Sequence, residues 1–127
     1  MRETIKRTVD NTVRVPYMIE KKLFDRITVM AEKHLPQPTK AVFFEFVLKL
    51  GMESYEENKM LSNVYEYRKR TPYRMIHRIK REVFEQLVVL VEAHEPPTTR
   101  RAFMEYILHL GIERYYKEYT IYGFKKG

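Results

Sequence analysis

The sequence predicts a mainly α-helical protein made from two copies of one strand–helix–helix unit that share a single core. Three observations predict it. Shifting the 127-residue chain by 60 brings residues 14–57 into ungapped register with residues 74–117, with 15 identities in 44 aligned positions; self-similarity at a fixed period marks a repeated structural unit. Each copy opens with period-two alternation of apolar and polar residues and then changes to helical spacing. The last segment of each copy is apolar almost all round, so one copy alone cannot bury it, whereas two copies facing each other can.

The elements follow in order. Val13, Val15, Tyr17 and Ile19 alternate with Thr12, Arg14, Pro16 and Met18, which predicts a half-buried strand. In the second copy Tyr73, Met75, His77 and Ile79 alternate with Pro72, Arg74, Ile76 and Arg78. An amphipathic helix is expected over residues 20–34, with Leu23, Ile27, Met30 and Ala31 on one face, and another over 80–94, with Val83, Leu87, Leu90 and Val91 there. Pro36 and Pro38, then Pro96 and Pro97, end these helices. Thr39 and Thr99 are suited to cap the second helices. Gly51 and Gly111 lie inside those helices, where glycine costs about 1 kcal/mol relative to alanine. Either a close helix–helix approach or a local C-terminal break accounts for them. The chain thus divides into a first unit (12–58), a basic linker (59–72), a second unit (73–118) and a Tyr-rich tail (119–127).

Composition narrows the function classes. No apolar run reaches the roughly 18 residues of a membrane span, and residues 1–7 lack the apolar stretch of a secretory signal. A soluble, cytoplasmic protein is expected. The absence of cysteine excludes disulfides, Cys-type zinc fingers and thiol nucleophiles. No phosphate-cradling glycine loop, paired loop carboxylates or Ser/His/Asp set is present, so neither an enzyme nor a cofactor or small-molecule substrate is expected. The net charge of +7 is placed unevenly: the two units are nearly neutral, while the linker carries +3 and the tail +2. Abundant Lys and Glu with no Cys lean toward a thermophilic source.

The alternating strands, the helix start KKLFDRI (21–27), and FVLKLGMESY (46–55) with its copy YILHLGIERY (106–115) together resemble the ribbon-helix-helix fold of MetJ/Arc-type regulators. The resemblance covers both copies. Family members usually act as homodimers, so this chain is similar to a fused, single-chain dimer like those among regulators of archaeal viruses and their hosts. The resemblance implies an intramolecular pseudo-two-fold dimer with a two-stranded antiparallel ribbon and four main helices. It also implies a double-stranded DNA-binding transcription regulator, repressor or activator, whose ribbon enters the major groove. Carried onto this sequence, the base readers are Thr12, Arg14 and Pro16, with Met18 beside them, and Arg74, Ile76 and Arg78. The family's phosphate clamp at the second-helix N-termini falls on Thr39 and Lys40 and on Thr99, Arg100 and Arg101. Arg68, Lys69 and Arg70 lead into the second strand and are expected at flanking phosphates. The family also commonly binds adjacent sites side by side, and the tail is the candidate contact for such self-association.

Departures from the family carry expectations of their own. Pro16 donates no ladder hydrogen bond, which predicts a bulged or shortened first strand. Glu20 and Lys80 stand where the family has proline at the start of the first helix. The strands' outward faces differ, which predicts non-equivalent half-sites and an imperfect palindrome. His34 and His94 are read as helix C-terminal residues that favour the dipole and not as metal ligands. His77 is expected to pack on the inward strand face. Tyr55, Tyr65, Tyr67, Tyr115, Tyr116, Tyr119 and Tyr122 are expected over the core or between molecules. Two rival readings remain: an antitoxin-like or scaffold protein-interaction module, and a non-specific DNA-coating protein.

Overall fold

In the computed structural model, which describes residues 11–57, 72–95, 97–120 and 123–126, the elements run β1 (Thr12–Glu20), α1 (Lys21–Lys33), α2 (Lys40–Glu57), β2 (Pro72–Lys80), α3 (Arg81–Ala93) and α4 (Arg100–Glu118). The described residues are mainly helical, with four helices and one two-stranded antiparallel sheet. Among the described residues, no helix is long and apolar enough to cross a membrane.

β1 pairs with β2 in a continuous register from Thr12↔Lys80 to Glu20↔Pro72, with Pro16 opposite Ile76 at its centre. The expected bulge at Pro16 is absent, and the ladder explains why. The Arg81 N–H donates to the Asn11 carbonyl at 2.7 Å, which makes Asn11 and Arg81 a hydrogen-bonded pair. Such pairs alternate with non-hydrogen-bonded ones along an antiparallel ladder. Pro16 therefore occupies a non-hydrogen-bonded position, where the backbone nitrogen points away from the partner strand and a missing N–H costs nothing.

Val15, Ile19 and Ile79 are buried beneath the ribbon, and His77 packs against Phe44 with ring centroids 5.1 Å apart. α1 and α3 contribute Leu23, Ile27, Met30 and Ala31, and Val83, Leu87, Leu90 and Val91, to the same core. Its centre is the packing of α2 against α4, where Val47, Leu48, Ile107 and Leu108 are fully buried. The two helices touch backbone to backbone. A Cβ at Gly51 would overlap the Ile107 carbonyl oxygen and lie 2.9 Å from Ile107 Cγ2. A Cβ at Gly111 would overlap the Val47 carbonyl oxygen and lie 2.9 Å from Val47 Cγ1. Of the two readings of these glycines, close approach is the one realised.

Contacts between the halves recur in pairs 60 residues apart. The Glu20 N–H donates to Glu105 Oε2 at 2.8 Å, and the Lys80 N–H donates to Glu45 Oε1 at 2.8 Å. Each corner where a strand becomes a helix is thus held by a carboxylate from the long helix of the other half. Likewise Tyr55 Oη lies 2.6 Å from His94 Nδ1, and Tyr115 Oη lies 2.8 Å from His34 Nδ1. These histidines do end α1 and α3, but their rings lie among aromatic neighbours such as Phe43 and Phe103. Burial pushes the His34 pKa down. The His34 ring, packed at the end of α1, therefore favours the neutral form.

The tail folds back on the body. Tyr119 stacks on Tyr115 with centroids 5.1 Å apart and a 14° interplanar angle, and Tyr119 bridges to Lys125. Gly123, at φ +92°, turns the chain against the His34 ring, a conformation and a contact that suit only a residue without a Cβ. Tyr116 and Phe124 remain exposed; Tyr65, Tyr67 and Tyr122 lie outside the described residues.

Candidate nucleic-acid interface

Even-numbered residues of both strands, from Thr12 to Met18 and from Arg74 to Lys80, form the outer face of the ribbon. Arg14 and Pro16 on β1, and Arg74, Ile76, Arg78 and Lys80 on β2, are exposed, while Thr12 and Met18 are half-buried. Every base reader expected from the sequence therefore lies on one face. The register orders them in cross-strand pairs: Thr12 with Lys80, Arg14 with Arg78, Pro16 with Ile76, and Met18 with Arg74. Lys80 also belongs to this face, and the same period-two alternation that marks Arg74 and Arg78 reaches it.

Like charges directly opposite on a sheet face destabilise it, yet Arg14 faces Arg78 on the exposed side. Among the described residues none of Arg14, Arg74 and Arg78 takes an acidic partner. Arg78 is instead held by a neutral group, its Nε donating to Thr12 Oγ1 at 3.0 Å. A guanidinium has five N–H donors in a fixed fork, so the terminal nitrogens keep their capacity for an external acceptor. Between the arginines, Ile76 is 44% exposed beside Pro16, leaving an apolar centre on a cationic face.

The second-helix N-termini also take the expected form. Thr39 Oγ1 accepts from the Val42 N–H at 3.2 Å, and Thr99 Oγ1 accepts from the Ala102 N–H at 3.1 Å. Each threonine satisfies one first-turn amide and leaves the preceding ones pointing outward. Lys40, Arg100 and Arg101 are exposed at these ends. Lys40 lines a small cleft with Phe24, Phe44 and His77, which places the α2 N-terminus beside β2. Burial, and then the Lys40 charge, push the His77 pKa down. Arg100 lies over the Phe84 ring, 5.8 Å from its centroid, an arrangement that orients the guanidinium without neutralising it. Arg68, Lys69 and Arg70 lie outside the described residues.

A cavity of about 340 Å³ opens between the C-terminal portions of α2 and α4, lined by Tyr55, Tyr106 and Leu110 with Arg114 at its side. Arg114 is bound there by Glu57 at 3.1 Å and Glu118 at 3.0 Å. Among the described residues no group of His, Cys, Asp or Glu could hold a metal ion.

No protein-family model, curated protein or solved structure matches this chain.

Proposed function

We propose that this protein is a sequence-specific double-stranded DNA-binding transcription regulator, a tandem ribbon-helix-helix in which one chain supplies both strands of a ribbon that enters the major groove. The observation that carries the reading is the Arg14–Arg78 pair, two like charges directly opposite on an exposed face with no acidic partner among the described residues. Such a face gains stability when an anion or a set of base acceptors covers it. A two-stranded ribbon fits the width of a B-form major groove, where arginine donates to guanine O6 and N7.

Matched contacts 60 residues apart support the pseudo-two-fold arrangement: Gly51 on Ile107 with Gly111 on Val47, and Glu45 to Lys80 with Glu105 to Glu20. The capped helix ends at Thr39 and Thr99, with Lys40, Arg100 and Arg101, supply amides and cations of the kind that bind backbone phosphate. Positioning would come from these ends and readout from the ribbon, the usual division between phosphate and base contacts.

Band shifts on duplexes selected from a random pool test this. Binding is expected to survive excess unrelated competitor, to weaken steeply with salt as phosphate contacts release counterions, and to vanish in the Arg14→Ala/Arg74→Ala/Arg78→Ala variant at unchanged Tm. Loss of the shift to any competitor would mark a non-specific coating protein. Absence of any shift would mark a protein-interaction module and end the regulator reading.

A further inference from the structure

Given a ribbon seated in the major groove as proposed above, we infer that it reads a directional site, one half through Arg14, Arg78 and Lys80 and the other through Arg74 and Met18. Because the strands are antiparallel, the two ends of the ribbon, and not the two strands, face the two half-sites. Arg14 and Arg78 come from different strands yet share one end, with Thr12 and Lys80 beyond them. The other end carries Arg74 opposite Met18, then Glu20 opposite Pro72. The asymmetry expected from the sequence is therefore divided differently: Arg78 belongs with Arg14, not with Arg74.

The two ends differ in charge, in donors and in rigidity. One end holds three cations, and the other holds Arg74 and the carboxylate of Glu20. Positions 60 residues apart occupy equivalent places at the two ends, since Pro16 and Ile76 meet at the ribbon centre. Arg14 and Arg74 correspond and supply each end with one arginine. Arg78 corresponds to Met18, and Thr12, which holds Arg78 Nε at 3.0 Å, corresponds to Pro72, which has no hydroxyl. The second reader and the group that orients it are thus both replaced at the other end.

Chemistry assigns a base class to each half. Two arginines, one of them fixed by Thr12, match two guanines with O6 and N7 free in the groove. Met18, together with Ile76 and Pro16, offers apolar surface suited to thymine methyl groups. The expected site carries guanines at two positions of one half, a single guanine in the other, and A·T pairs at the centre and on the Met18 side. Arg78 and Met18 are then the residues that decide direction.

Selection of bound duplexes from a random pool, run in parallel with the wild type, Arg78→Met and Met18→Arg, tests this. The wild type should yield a non-palindromic consensus. Arg78→Met should remove one guanine preference from the richer half and weaken binding to the wild-type site about 5- to 150-fold, the range carried by one bidentate pair. Met18→Arg should add a guanine preference in the poorer half and make the consensus more palindromic. Both substituted positions lie on the outer face, so thermal denaturation should register little change, which separates lost readout from lost folding. A palindromic wild-type consensus, or a consensus that Arg78→Met and Met18→Arg both leave unchanged, overturns the directional site while leaving duplex binding intact. Failure of every variant and the wild type to enrich any duplex overturns the regulator reading itself.

Discussion

The interior of the molecule and the outer face of its ribbon obey different rules. In the interior, residues 60 apart make equivalent contacts. Gly51 and Gly111 each admit the other helix's backbone, and Tyr55 and Tyr115 each meet a histidine of the other half. On the outer face, the corresponding places hold Thr12 and Pro72, Met18 and Arg78, or Glu20 and Lys80. Close packing penalises a change on either side of a shared contact, whereas exposed positions tolerate substitution within a few tenths of a kcal/mol. The two halves are alike at these contacts, by which they hold each other, and differ at most places of the outer face.

The sharpest way to break that contrast is at the glycines. Gly51→Ala and Gly111→Ala should each destabilise the fold by about 3 kcal/mol or more, since each new methyl would displace backbone and not a mobile side chain. Denaturant titration reads the effect, and near-equal losses at the two sites would confirm that the interior treats both halves alike. A smaller effect is expected from Tyr55→Phe and Tyr115→Phe, each removing a hydroxyl from a histidine nitrogen at about 1–2 kcal/mol. Tyr55→Phe should cost more, because its partner His94 is 4% exposed while His34 is only half-buried.

Thr39→Ala and Thr99→Ala should each cost about 1 kcal/mol of stability through the lost cap. If phosphate is bound at these ends, each should also weaken DNA binding at sites of every sequence alike. The smallest effect is in pH. His34 and His77 both have folded-state pKa values below the ordinary one near 6.5, through burial. The unfolded chain therefore binds more protons, so stability should be level above about pH 7 and decline as pH falls from about 6.5 through the folded-state values. Melting temperatures of the wild type and of a His34→Gln/His77→Phe variant between about pH 5 and 8 would show the slope and its loss.

Much of this architecture was legible in the sequence because it rests on local periodicity. Alternation placed Arg14, Arg74 and Arg78 on one strand face, and helical spacing placed Leu23, Ile27, Val83 and Leu87 inward. What was not legible depended on partners distant in sequence. The tolerance of Pro16 follows from the phase of the ladder, which is set by the pairing of Asn11 with Arg81. The environment of His34 depends on Tyr115, 81 positions away. Glu45 and Glu105 hold the strand–helix corners, and two identical carboxylates in otherwise apolar segments were a usable signal of that role. The grouping of Arg78 with Arg14 needed the antiparallel register, not only the faces.

β1 and β2 belong to one polypeptide, and this changes the mass action of anything bound across them. A ribbon assembled from separate subunits is lost on dilution below their dissociation constant, so its apparent affinity contains a monomer–dimer equilibrium. Here the second strand is tethered to the first, and its effective concentration is fixed by chain length, not by expression level. Melting temperature and ligand affinity should accordingly be independent of protein concentration down to the lowest levels that can be assayed.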